Sequence, residues 1–250
     1  MNNDTCSKII ILFFSLLLII VVLIKRFLYF RPSSKFILPY ESYKALNIKH
    51  LYAWESSVNS NKIVIICPGN KGNISYHSDK IKQFNNLGYN VLIFDYSGYG
   101  LSKGIPTEEQ LFNDVSIVTA TVRQTYEADN IILYGQFIGA PIATYAVRRY
   151  NIPILILEAP LPSMQILFKQ YLYSKLQILS NLFQEFNTLV YLNGYLGKSL
   201  CIYSLEDELI TPFIVQSVTN LCTESIETTG THNHLVVPYE KIKRFIDTYS

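Results

Sequence analysis

An acid and a base stand late in the chain. Asp207 lies in Leu205-Glu206-Asp207-Glu208-Leu209-Ile210-Thr211-Pro212, and His232 in Gly230-Thr231-His232-Asn233-His234. A carboxylate that orients a histidine lets the imidazole take a proton from a nucleophile and return it to a leaving group. The nucleophile of such a set belongs at the centre of a sharp strand-to-helix turn flanked by glycines. That turn is present as Gly135-Gln136-Phe137-Ile138-Gly139. Its centre is Phe137, where Ser, or occasionally Cys or Asp, is expected. Phenylalanine has no lone pair to attack a carbonyl and no proton to give a base. Its ring would also occupy the space of the acyl carbon. A residue other than glycine at the centre of this turn bears strain of about 1–3 kcal/mol.

Two more loops complete the candidate site. Pro68-Gly69-Asn70-Lys71-Gly72-Asn73 has glycines that let backbone N–H groups point into a cleft, as stabilisation of an oxyanion requires. A plain turn has the same pattern. Tyr96-Ser97-Gly98-Tyr99-Gly100-Leu101-Ser102-Lys103-Gly104 reads, alone, only as a tight loop. Ser97, Ser75 and Cys67 are near the expected rim of the cleft. None is on the turn, where a hydroxyl must face both His232 and the oxyanion donors at about 3 Å. Two histidines at i, i+2, His232 and His234, make a poor metal site. No metal or cofactor is expected.

The elements that must position these residues follow from hydropathy. Lys62–Cys67, Asn90–Asp95, Asn130–Gly135, Pro153–Glu158 and Ser199–Ser204 are short apolar runs rich in β-branched residues. Continuous runs of this kind mean strands covered on both faces, as in a parallel sheet. Ile48–Trp54 alternates and reads as an edge strand, and a last short strand falls near Ser225–Thr228. Helical spacing fills Tyr76–Leu87, Thr107–Tyr126 and Ile138–Tyr150, and a final helix starts near Tyr239. Thr107-Glu108-Glu109-Gln110 before an apolar stretch resembles a capping box. The alternation predicts a doubly wound α/β domain over 36–250, with its site beyond the C-terminal strand ends. Residues 161–198 break the rhythm. They predict two or three amphipathic helices, either a layer covering the sheet or a lid lined with apolar side chains.

Composition constrains the rest. Of 250 residues, 49% are apolar and 16% charged, which excludes disorder and a coiled coil. A net charge of +2 argues against nucleic-acid binding. The basic excess is N-terminal: Lys8, Lys25, Arg26, Arg31 and Lys35 face Asp4 alone over 1–35, leaving 16 basic and 18 acidic side chains beyond. Residues 9–24, IIILFFSLLLIIVVLI, follow a flank at 1–8. With Lys25–Phe30 they are long enough to form a single transmembrane anchor over 9–30. A cleaved signal peptide would need a small-residue cleavage site, and KRFLYFRP follows instead. Basic residues after the anchor place the main domain in the cytosol. The four cysteines show no disulfide framework. Cys6 abuts the anchor, Cys67 and Cys201 read as buried small apolar residues, and Cys222 has no obvious partner; the pattern suits a reducing compartment.

Taken together, PGNKGN (68–73), DYSGYGLSKGIPTEE (95–109), GQFIGA (135–140), DELITP (207–212) and GTHNH (230–234) resemble the motifs of the membrane-anchored α/β-hydrolase-domain family. This is the branch of bud-emergence-type proteins and protein-depalmitoylase-like serine hydrolases. The resemblance spans about Lys62 to Phe245. It implies an α/β-hydrolase fold: a mostly parallel doubly wound sheet with a small helical lid insertion, preceded by one N-terminal transmembrane helix. It also implies Asp207 as triad acid, His232 as base, and the N–H groups of Asn70 and Ile138 as the oxyanion hole. The chain departs from the family pattern at Pro68, Ser97, Ala140 and His234, which stand for His, Arg, Gly and Asp, and at Phe137, which stands for Ser. Three readings follow. One is a membrane-bound protein that has lost catalysis and binds a lipid, an acylated ligand or a partner. Another is an active esterase, lipase or thioesterase with a displaced nucleophile or an activated water. The last is a structural membrane protein.

Overall fold

A computed structural model describes Leu12, Ser15, Leu16, Ile19, Leu23 and residues 25–33, 35–37, 43–172 and 174–250. The chain divides into two compact units, Met1–Arg31 and Pro32–Ser250. In the first, the described residues up to 29 are helical, and Leu12, Leu16, Ile19, Leu23 and Phe27 are exposed. Much of the expected anchor at 9–30, its flank at 1–8 and Cys6 lie outside the described residues. Among the described residues, no helix is long and apolar enough to cross a membrane.

Among the described residues, the main sheet of the second unit has eight strands: β1 Lys44–Ile48, β2 Leu51–Ser56, β3 Ile63–Cys67, β4 Asn90–Phe94, β5 Ile131–Gln136, β6 Ile154–Glu158, β7 Lys198–Ser204 and β8 Glu224–Thr228. Their order in the sheet is β8-β7-β6-β5-β3-β4-β2-β1. β2 runs antiparallel to both of its neighbours, β1 and β4, and β3 to β8 are parallel. Every residue of β3, β4 and β6 is buried, which is why these strands read as unbroken apolar runs. The edges β1 and β8 are largely exposed. The expected single edge strand Ile48–Trp54 is instead the junction of two. Lys49, with φ of 57°, and His50 form a turn that closes a hairpin with Ile48 opposite Leu51.

Among the described residues, seven α-helices accompany the sheet: α1 Ser78–Asn86, α2 Glu108–Val122, α3 Gly139–Tyr150, α4 Met164–Tyr171, α5 Thr188–Leu192, α6 Pro212–Thr219 and α7 Tyr239–Tyr249. One face of the sheet, through Val64, Ile66, Ile93 and Ile156, packs on Ile81 and Phe84 of α1 and on Ile242, Phe245 and Ile246 of α7. α2 and α3 cover the other face, where Leu111, Val115, Ile142 and Ala143 are buried. The cap at Thr107 forms, its side chain accepting from Gln110 N–H at 3.1 Å. α3 stops at Asn151, which takes a left-handed conformation and donates its N–H to Val147, a standard helix ending.

The insertion consists of α4, a 3-10 stretch over Ser174–Leu182, and α5. It braces the loop after β7. Gln170 donates to the carbonyl of Leu209 at 2.9 Å and accepts from the Thr211 hydroxyl, while the Tyr171 hydroxyl donates to the carbonyl of Glu208. Met164 and Leu167 face inward; Tyr171, Leu176, Ile178 and Leu182 remain exposed.

Candidate active site

The turn after β5 is tightly packed. A Cβ on Gly139 would lie 2.0 Å from the carbonyl oxygen of Cys67, and one on Gly135 would lie 2.5 Å from the carbonyl oxygen of Gly139. Only hydrogen fits at either place, so strand, turn and helix pack at backbone distance. Between these glycines Phe137 sits at φ of 50°, the left-handed region that side-chain-bearing residues avoid at a cost of about 1–2 kcal/mol. The turn is held in place regardless. Phe137 N–H donates to Glu158 of β6 at 3.0 Å, and its carbonyl accepts from Ala140 at 3.0 Å and Leu161 at 3.3 Å. Ala140, where the family pattern has Gly, is accommodated within α3.

Asp207 and His232, 25 residues apart, meet at the ends of β7 and β8. His232 Nδ1–H donates to the Asp207 carboxylate, 2.9 Å from Oδ2 and 3.1 Å from Oδ1. Asp207 is almost wholly buried and also accepts from the N–H groups of Leu209 and Ile210 at 2.9 and 2.7 Å. Its position is therefore set by its own loop before the histidine arrives. A further tie comes from Glu208, which accepts the His232 N–H at 3.0 Å; that bond pulls the Glu208 carboxyl below its ordinary value. With Nδ1 given to Asp207, the proton-accepting atom of a neutral His232 is Nε2.

The Phe137 ring stands edge-on to the His232 ring, centroids 5.0 Å apart at 81°. Aromatic pairs favour this geometry. The histidine thus meets a hydrocarbon ring where a triad would have an oxygen. Around the pair lies an open cleft of about 310 Å³, lined by Gly69, Asn70, Lys71, Phe137, His232 and Asn233 among others. Asn70 is on the cleft wall, and Ile138 is buried at the first turn of α3. His234 also lines the cleft. Among the described residues there is no cluster of His, Cys, Asp and Glu suited to a metal ion.

The other candidate nucleophiles are committed elsewhere. Ser97 is fully buried; its hydroxyl donates to Asp114 Oδ1 at 2.9 Å and lies 3.0 Å from His50 Nε2. The Ser75 hydroxyl donates to Asn73 and accepts the N–H of Ile37. Burial pushes the Cys67 thiol well above its ordinary range, so it stays protonated. None of them contacts His232. Sequence reasoning misses a buried polar group behind the histidine, formed by Lys80, Tyr134, Gln136 and Glu158. Glu158, a charge ending an otherwise apolar run, is its only signal.

Strand order, elbow and the Asp207–His232 pair define an α/β-hydrolase. A family model described as "Serine aminopeptidase, S33" matches residues 58–210, and the chain belongs to that hydrolase family. The match includes Phe137 and Asp207 and ends before His232. The chain is 32% identical over 133 residues to human alpha/beta hydrolase domain-containing protein 17B, covering 50% of this chain and 43% of that protein. It is 41% identical over 76 residues to the 17C protein of Xenopus tropicalis, covering 30% of this chain and 24% of that one. The chain thus spans less than half the length of these relatives. Among solved structures it resembles the Pyrococcus furiosus esterase Pf2001, with a TM-score of 0.70 and 20% identity over 88% of this chain and 99% of that one. Mouse alpha/beta hydrolase domain-containing protein 10 follows at a TM-score of 0.62 and 16% identity, over 84% and 100%. At these identities the structural likeness speaks for the fold alone.

Proposed function

We propose that this chain is a membrane-tethered α/β-hydrolase that has lost serine-hydrolase chemistry. It works by holding a lipid, an acylated ligand or a partner in the former catalytic cleft. One observation carries this reading: Phe137 occupies the elbow in the left-handed conformation, with its ring against His232. Acyl transfer begins with attack by a nucleophile on the carbonyl carbon, and the elbow offers only hydrocarbon. In this reading Asp207 and His232 keep the acid and base positions, and Asn70 and Ile138 the oxyanion positions, with no hydroxyl to serve. Loss of the nucleophile from a catalytic triad costs about six orders of magnitude in rate, as in subtilisin. The apolar run at 9–24 and the basic residues after it support a single-pass tether with the main domain in the cytosol.

The test is labelling of the purified chain with a fluorophosphonate probe. No labelling is expected. Clear labelling that His232→Ala abolishes would overturn the reading. A second reading has one observation in its favour, the fully formed Asp207–His232 hydrogen bond. In it, His232 activates a water against an ester. Turnover of short acyl esters that falls in His232→Ala would favour this alternative.

A further inference from the structure

In sequence Cys222 has no obvious partner; the fold brings one to it. The chain passes from α6 into β8 through residues 220–223, and Thr223 is tied to the start of β7 by a reciprocal pair of bonds. Ser199 N–H donates to the Thr223 hydroxyl at 3.1 Å, and Thr223 N–H donates to the Ser199 hydroxyl at 3.2 Å. Cys222 directly precedes Thr223. Cys201 follows Ser199 by two residues, so both project from the same face of β7. The two sulfurs meet there: the Cys201 S–H and the Ser199 hydroxyl both donate to the Cys222 sulfur. Both cysteines are free thiols, and neither lines the cleft beside His232.

The pair is asymmetric. Cys201 is fully buried, and burial, reinforced by Cys222 beside it, pushes its thiol well above the ordinary value. Cys222 keeps some exposed surface. The hydrogen bond from Cys201, helped by the one from Ser199, lowers its thiol against the opposing effect of burial. A cysteine reacts as its thiolate. Cys222 is therefore the sulfur that attacks, and Cys201 the one that waits with its hydrogen. Cys67 is the contrast, since it is fully buried and burial alone acts on its thiol.

We propose that Cys222 and Cys201 are a reversible redox pair, a modification site that hydrogen peroxide converts into a disulfide. The Cys222 sulfur attacks one peroxide oxygen and the O–O bond breaks. Cys222 becomes a sulfenic acid, and the other oxygen leaves as water with the Cys222 proton. The Cys201 sulfur then attacks the Cys222 sulfur. The S–O bond breaks, and the hydroxyl leaves with the Cys201 hydrogen as a second water. Two thiols are oxidised and one peroxide is reduced. The new bond closes a loop that holds Asp207 and α6. In a reducing compartment such a bond is transient. The site stands whether or not Phe137 has ended catalysis.

The experiment exposes the full chain in detergent micelles to hydrogen peroxide. The protein is then denatured with N-ethylmaleimide, digested and weighed by mass spectrometry. The peptides bearing Cys201 and Cys222 are expected joined, two hydrogens lighter than their sum, and dithiothreitol should return both thiols. Cys67 should be oxidised at least about tenfold less. Cys201→Ser keeps a donor to Cys222 and removes the second sulfur, so dimedone should trap a Cys222 sulfenic acid at least about tenfold more than in the wild type. In Cys222→Ser, Cys201 should stay reduced. Free Cys201 and Cys222 thiols in the treated wild type would overturn the proposal. So would a disulfide joining two copies through Cys222, or equal dimedone trapping in the wild type and Cys201→Ser. The first of these needs no substitution, so a variant that fails to fold does not shelter the proposal.

Discussion

The domain contains two clusters built from triad-like residues. In one, His50, Ser97 and Asp114 supply all three residue types within hydrogen-bond reach. In the other, Asp207 and His232 stand beside Phe137. The first has the inventory without the geometry. Ser97 gives its proton directly to Asp114, and His50 meets both partners through the same Nε2, so the imidazole relays nothing. The serine is also fully buried. The second has the geometry without the inventory: a left-handed elbow, a histidine oriented by a buried carboxylate, and an open cleft. Catalytic competence depends on which nitrogen faces which atom and on access, not on the presence of Ser, His and Asp. The first cluster ties the loop after β4 to α2; the second sets an aromatic ring beside an oriented histidine, where a triad would have a hydroxyl.

The comparison can be broken most decisively at Phe137. Phe137→Ser places a hydroxyl on the elbow beside His232, and fluorophosphonate labelling is expected to rise at least about a hundredfold over the wild type. The double variant Phe137→Ser, His232→Ala should return to background. If Phe137→Ser stays unlabelled, the remaining geometry is not that of a reaction site and the contrast fails. Asp114→Ala tests the opposite half. It strips partners from the Ser97 N–H, the Ser97 hydroxyl, Gln110 and His50 at once. The expected loss is about 3–5 kcal/mol in urea unfolding, with labelling of a Phe137→Ser background unchanged after correction for folded protein.

The two clusters also differ in how far they can be read from sequence. The elbow is legible because Gly135 and Gly139 have no room for a Cβ, so the constraint is written in residue type. Asp207 and His232 are legible as an ordered pair at strand ends, since two-sided burial turns β5, β6 and β7 into apolar runs that end at the site. The hairpin at Lys49–His50 is not, because neither residue is a usual turn former and the alternating pattern runs on through it. The Lys80–Glu158–Gln136 network and the His50–Ser97–Asp114 cluster are not legible either. Each joins ordinary polar residues from separate elements, and nothing local marks which side chains will meet. The insertion reads as helices from its spacing, but its bracing of the acid loop through Gln170 and Tyr171 depends on tertiary contact alone.

Asp95 sharpens the structural half of the comparison through pH. It is buried at the start of the loop that carries Ser97, and burial raises its carboxyl to about 6 although Ile74 and Leu101 donate their N–H groups to it. The unfolded chain loses this proton near 3.8, before the folded chain does. Between about pH 4 and 6 the folded state therefore binds more protons, and this group makes stability fall as pH rises through that window. Above it the cost is fully present, on the order of 3 kcal/mol for a shift of this size. Asp95→Asn should remove that slope. Urea titrations of both proteins from pH 4 to 7 measure it as a difference, and parallel curves would show that Asp95 titrates normally.

The smallest expected effect lies at Thr107, and it asks whether α2 holds Asp114 in place from a distance. The Thr107 side chain caps α2 by accepting the Gln110 N–H, and Gln110 in turn donates to Asp114 at 2.8 Å, one turn further along the helix. Thr107→Ala leaves that N–H without its partner and should cost about 1 kcal/mol, while Thr107→Ser, which keeps the acceptor, should leave stability unchanged or slightly raised. If capping serves only the helix, the Thr107→Ala and Asp114→Ala losses will add in a double-mutant cycle. If the cap also positions Gln110 for Asp114, the double variant will lose less than the sum, because the second change removes a bond the first has already loosened. Additivity would reduce the His50–Ser97–Asp114 cluster to a local tie; a coupling above about 0.5 kcal/mol would make α2, from its first residue, part of the device that holds it.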